Sequence, residues 1–268
     1  MKTLNIKQIL AVAEKETKLN FRFKFNYFVQ NLFETIKSAA VFILIYLGFF
    51  SFGAKSIGEV SPQNFVAFLL LGVIASTICY KGYYMFRDKF TNEKYWETIS
   101  SLFISPLKKI NLVIGVCLAE LAHLLFLVIF FLVIVYLFYP TAIINVFAVF
   151  ILFIIFFFMI SSFGLIYGII SISLEQYSFL FILFYPILVF FSGFYYPIDV
   201  IPGILRIFSY INPVYYTVTL IRNIWLTGIQ ISDITMYFIP IIAFTIIIPI
   251  IAILLFNLIW KKKGIIGY

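Results

Sequence analysis

Six long apolar stretches, residues 36–54, 64–86, 111–138, 143–172, 177–191 and 234–260, run along the chain, most of them separated by very little polar sequence. A bilayer-spanning helix needs about 20 mainly apolar residues at roughly 1.5 Å of rise each, so this pattern predicts six crossings, with 143–172 long enough to tilt. Three segments break the pattern. In 5–33, Ile6, Leu10 and Ala13 keep helical spacing, and Phe21, Phe23, Phe25 and Tyr27 then alternate with Arg22, Lys24 and Asn26. The first part suits an amphipathic helix lying in the membrane interface; the second reads equally as a strand or as a turn into the membrane. A solvated basic tail that only enforces topology is the plainer alternative.

The second break, 87–109, is the longest polar interruption. Within 93–104, Tyr95, Trp96, Ile99, Leu102 and Phe103 return every three or four residues, with Thr91 or Asn92 as a cap and Pro106 as a stop. The spacing predicts a short amphipathic helix exposing Glu93, Lys94, Glu97 and Ser100, which either packs on its own bundle or docks in a groove of a partner. The third break, 192–228, carries Gly193, Pro197, Pro202, Gly203 and Pro213, too many interruptions for one spanning helix.

Composition makes the membrane reading firm. The 268 residues are 64% hydrophobic, 21% aromatic and 11% charged, with a mean hydropathy of +1.11, more apolar surface than a soluble domain buries. The chain is read as a single membrane domain, 1–268: an interface arm over 1–35, a six-span bundle over 36–260 and a tail over 261–268. The net charge of +8 belongs to loops rather than to nucleic-acid binding, because every Lys and Arg except Lys55, Arg206 and Arg222 falls on one side of the six-span arrangement. The positive-inside rule then places both termini in the cytoplasm and 192–228 outside. There the breaks become intelligible as two short re-entrant helices, one after Pro202 and one rising from Asn212 and Pro213 towards Arg222, lining an external gate. Arg222 reads as an anchor to Asp199 or to the helix ends. The N-terminus lacks an uncharged core with a cleavage site, so it is expected to remain in the mature protein. Cys79 and Cys117 sit in apolar stretches with no metal or disulfide spacing.

Little in the sequence supports catalysis. His123 is the one histidine and stands one helical turn from Glu120 in the third span. A carboxylate at that depth costs about 3 kcal/mol unless paired, so the two are either functional or a hydrogen-bonded packing pair. One His and one Glu leave metal ligands missing, and no G-x-x-x-x-G-K-[S/T] loop exists to cradle phosphates.

The order of a basic arm, WETISSLFISPL after the second span, and SGFYYPIDVIP, INPVYY and IRN before the last resembles type 2 ATP-binding-cassette (ABC) export permeases of the antibiotic, nodulation-factor and polysaccharide kinds. Glu97 and Ser105-Pro106 match the motif of the antibiotic branch, while Lys94 stands where its Gly would be. The resemblance implies an all-α membrane fold in which 93–104, with Glu93, is the coupling helix seated in a cytoplasmic ABC ATPase subunit. Glu97 would be its polar contact and Trp96 and Ile99 its packed seat. Glu175, in the turn after the fourth span, would lie near a second contact, or is simply solvated. No cofactor belongs to this chain, since ATP and Mg would be held by the ATPase. The remaining partners would be membrane lipid and a second copy or a related permease, with no nucleic acid. The implied function is export of an amphipathic or lipid-linked substrate (drug, lipid or glycan) across the plasma membrane by alternating access. The competing reading is a proton- or ion-coupled secondary transporter using Glu120 and His123.

Overall fold

The computed structural model describes residues 5–53, 55–98, 101 and 107–263. Among them every regular element is helical, and the single β-type contact is the bridge between Ile57 and Val60 inside a turn. Helix α1 (Ile6–Asn20) starts at Asn5, whose side chain accepts from the Lys7 N–H at 3.1 Å. It buries Ile9 and Val12 against α4 (Lys109–Phe138) and leaves Ile6 and Leu10 exposed, the two-sided pattern of an interface helix. The approach is close: a Cβ on Gly115 would lie 2.7 Å from Val12 Cβ. A tight turn, Phe21–Phe23, leads directly into α2 (Lys24–Ser51). The alternating aromatic stretch is therefore turn and helix, not strand, and the first apolar helix begins well before residue 36.

Helix α3 (Phe65–Tyr95) is the most enclosed of the long helices. Its 31 residues span about 46 Å, more than the roughly 30 Å that a straight crossing of a hydrocarbon core needs. It packs most extensively along α5 (Ile143–Ser173). A Cβ on Gly164 of α5 would come within 2.2 Å of the Gly82 carbonyl oxygen, so the backbones meet with no side chain between them. Tyr83, Phe86, Phe153, Phe156 and Phe157 fill the seam.

After α5 and the turn Glu175–Tyr177 comes α6 (Ser178–Phe190), apolar but only 13 residues long, about 20 Å. Gly193, at φ +74°, ends this segment, and Pro186 lies inside the helix. Short helices α7 (Arg206–Ile211) and α8 (Pro213–Leu226) follow, then a run from Ile231 through a wide turn, Ile234–Phe238, into α9 (Ile239–Lys263). Five helical segments among the described residues are long and apolar enough to cross a membrane: Asn31–Ser51, Phe65–Tyr95, Lys109–Phe138, Ile143–Ser173 and Ile231–Leu258. The expected sixth, 177–191, is shorter than that standard.

The predicted helix over 93–104 also changes. Thr91 and Asn92 lie inside α3 rather than capping a new helix, and Glu93 belongs to its last turn. Ser101 is helical, while Ile99, Ser100 and 102–106 lie outside the described residues. Pro202 precedes α7, and Pro213 is the first residue of α8.

Candidate functional site

One face of α3 is polar and aromatic where the rest is apolar. Ser76, Thr77, Tyr80, Lys81, Tyr84, Asp88, Asn92 and Trp96 recur at three- and four-residue intervals, which puts them on one stripe. That stripe forms a wall of a cavity of about 950 Å³. Its other walls come from Asn31, Glu34 and Ser38 of α2, Glu120 of α4, Tyr185 of α6 and Tyr195. Along α3 the cavity is lined from Ser76, a third of the way along the helix, to Trp96 at its end, with Tyr195 beside the Ser76 end.

At the Trp96 end, α1 is tied to α3 by charge. Lys89 Nζ lies 2.5 Å from Glu16 Oε1 and 3.2 Å from Glu93 Oε1, and Lys15 Nζ lies 2.8 Å from Glu93 Oε1. Thr98 Oγ1 donates to Glu93 Oε2 at 2.5 Å. The Lys89 and Glu93 side chains are each only 6% exposed, so their charges depend on one another. Glu93 is therefore buried in this network rather than presented on an open helix face, because α3 runs on past the point where the sequence suggested a break.

The chain leaves α3 through a turn in which the Thr98 N–H donates to the Glu93 carbonyl at 2.9 Å and the Glu97 N–H to the Lys94 carbonyl at 3.0 Å. This is the six-to-one, five-to-two bonding that places a left-handed residue after a helix, usually Gly. Here that residue is Glu97, at φ +56°. Trp96 and Glu97 are both exposed, so the two expected contact residues share one exposed turn, not a helix. Ile99 lies outside the described residues, as does the side chain of Glu175, whose backbone sits in the turn after α5.

Glu120 and His123 are not brought together as a hydrogen-bonded pair. Glu120 faces the cavity. His123 is buried, with Nδ1 3.4 Å from Asn20 Nδ2 and its ring edge-on to Phe21 at 4.6 Å, so it serves the junction of α1 and α4. No group of three or more potential metal ligands occurs among the described residues.

At the opposite end of α3 the 192–212 segment is held by Arg222. Its guanidinium donates to the carbonyls of Gly193 and Phe194, each at 2.6 Å, and of Phe68 at 3.3 Å, and lies 3.4 Å from the Phe68 ring centre. Asp199 is not its partner; that carboxylate lies 3.3 Å from Arg206 Nη1. Arg222 instead satisfies carbonyls of the turn that follows α6, together with one inside α3. Gly72 makes room for this, since a Cβ there would fall 1.8 Å from the Phe194 carbonyl oxygen. Tyr46 adds a bond to the Tyr195 carbonyl at 3.1 Å, and Phe42 stacks on Tyr195 at 4.0 Å. Asn212 caps α8 by accepting from the Val214 N–H at 3.0 Å while donating to the Leu188 carbonyl at 2.8 Å. Pro197 packs against Gly58, and the Pro202 carbonyl accepts from Leu205 and Arg206 to start α7.

Sequence reasoning missed Lys15, Glu16 and Lys89, whose pairing with Glu93 joins distant positions. It also missed Gly72. The stripe on α3 was readable from its spacing. Among known proteins, the family model described as ABC-2 type transporter matches residues 7–226, a range holding the charge network, the cavity and the Arg222 anchor. No curated protein matches the chain.

Proposed function

The chain belongs to the ABC-2 type transporter family, as the multi-pass permease component, and from that premise we propose that it exports an amphipathic or lipid-linked substrate using ATP hydrolysed by a separate cytoplasmic subunit. The observation that carries the reading is the cavity, whose polar lining runs along α3 from the exposed Trp96 to Ser76 and there meets Tyr195, next to the Phe194 carbonyl that Arg222 holds. In this reading the Trp96 end is cytoplasmic and 192–212 external, in keeping with the distribution of Lys and Arg. Helix α6 is the sixth crossing, made short by the break at Gly193, and both termini are cytoplasmic.

Trp96, Glu97 and the following segment with Ile99 receive the ATPase, which holds ATP and Mg, and Glu175 borders a second contact. Glu93 acts through the network: a push on the turn reaches α1 through Glu93, Lys15, Lys89 and Glu16. Two permease copies, or one with a related partner, enclose the path, and ATP-driven closure of the ATPases shifts the helices between inward- and outward-facing arrangements.

The test is reconstitution in proteoliposomes with a co-purifying ATPase. ATP-dependent movement of an amphipathic dye is expected, and Trp96→Ala or Glu97→Ala should leave ATP hydrolysis running while transport is lost. Transport that persists without the ATPase and collapses with an uncoupler would refute the reading.

A further inference from the structure

We infer that the cavity is a binding site for a positively charged headgroup, an ammonium or quaternary ammonium carried on an apolar body. Glu120 is its counter-ion, and the tyrosines of α3 and α6 form its aromatic wall. The exporter reading gives this site its place in a transport cycle, so the substrate class rests on that reading, but binding itself needs no ATPase.

Glu120 lies eleven residues beyond Lys109, about 16 Å along α4 and close to the middle of the helix. It lines the cavity, is partly buried, and has no hydrogen-bond or ion-pair partner among the described residues. The other cavity acids are matched: Glu16 and Glu93 by Lys89, Glu34 by Lys37 at 2.6 Å, and Asp88 by Arg87 at 2.7 Å. Lys81 lines the same space. A mid-membrane carboxylate facing this cavity and left without a direct partner is a place for a cation.

The aromatic lining agrees. The rings of Tyr80, Tyr84 and Tyr185 cluster with centroids 4.9, 5.1 and 6.0 Å apart, and all three line the cavity. Aromatic faces attract ammonium groups most strongly where water is scarce, and tyrosine keeps a hydroxyl for the residual water.

The test uses the full chain purified into nanodiscs, with tritiated tetraphenylphosphonium as the probe and protein-free discs as the blank. Dodecyltrimethylammonium should displace the probe, while dodecyl maltoside and dodecyl sulfate at equal concentration should not. Glu120→Gln should weaken probe binding by about tenfold or more, and Glu120→Asp should recover part of it. Tyr84→Leu should weaken binding with the charge intact, a check that holds even if Glu120→Gln fails to fold. Displacement by dodecylphosphocholine would assign the cation to a zwitterionic lipid headgroup, and its failure to displace would assign it to a free organic cation; both support the site. Equal displacement by dodecyl sulfate, or unchanged binding in Glu120→Gln, overturns it. Cation binding with no ATP-driven export would sink the exporter reading alone, and export with no cation binding would sink this inference alone.

Discussion

Replacing Arg222 by Lys isolates what a planar guanidinium does that a point charge cannot. Arg222 is 6% exposed and joins three carbonyls in two parts of the chain, with bonds of 2.6, 2.6 and 3.3 Å and a ring contact at 3.4 Å. A lysine ammonium could reach the adjacent Gly193 and Phe194 carbonyls, but it forfeits the Phe68 carbonyl and the stacked ring. A charged hydrogen bond contributes about 1.5–3 kcal/mol and a desolvated cation–π contact about 2 kcal/mol. Allowing for relaxation, the loss is about 3 kcal/mol. For a chain of this size that lowers Tm by roughly 6–12 °C, read by differential scanning fluorimetry in detergent. Arg222→Met, which frees all three carbonyls, should fall further. Gly72→Ala attacks the same contact from the other side, since its Cβ would sit 1.8 Å from the Phe194 oxygen and 2.6 Å from Arg222 Nη2. Because both changes break one set of contacts, the double variant should cost clearly less than the sum of the singles. A Tm for Arg222→Lys within about 2 °C of the parent, or strict additivity in the double variant, would show that Arg222 does not hold the turn.

The remaining expectations are brief. Lys89→Met should cost about 3–5 kcal/mol by stranding Glu16, while Glu93 keeps Lys15, and Lys89→Met with Glu16→Met should recover part of that; thermal unfolding and trypsin cleavage within α1 report both. Glu97→Gly should raise stability by about 1 kcal/mol through relief of the φ +56° backbone while losing coupling as Glu97→Ala does, and a fall in Tm would contradict that backbone assignment. Gly164→Ala should cost about 1–3 kcal/mol by pushing α3 from α5, seen as reduced Tm and poorer yield. Ile204→Cys, 89% exposed, should react with an impermeant maleimide on intact cells and Lys18→Cys only after permeabilisation, with little background because Cys79 and Cys117 are buried; the reverse pattern inverts the topology.

Much of the bundle was legible because a spanning helix is written in one continuous run of apolar residues, as at 143–172. Helix α8 was legible because Asn212 and Pro213 are a cap and a first-turn residue in adjacent positions. The end of α3 was not: a left-handed residue after a helix usually shows as Gly, and here Glu97 fills that place, so the stop was hidden and the amphipathic run seemed to start at Glu93. The network at Glu93 was hidden for another reason. Lys15 and Glu93 are 78 positions apart, and their pairing depends on how closely α1 lies on α4, which Gly115 permits. Glu120 and His123 share one helical turn yet face different neighbours, a division that spacing alone does not resolve.

The seam between α3 and α5 also bears on how the chain is made. Helix α3 is less apolar than α4 or α5 and carries a full polar stripe, yet it leaves the ribosome before either of them. Alone in lipid, that stripe would face hydrocarbon with nothing to satisfy it. The glycine contact that seats α3 on α5 forms only after about eighty more residues have been added, Gly82 and Gly164 being the meeting points. The nascent second helix must therefore be sheltered at the insertion machinery, or held near the interface, until the fourth apolar stretch arrives. Truncation before residue 143 should leave a polypeptide that quality-control proteases clear, while truncation after Ser173 should leave one that persists.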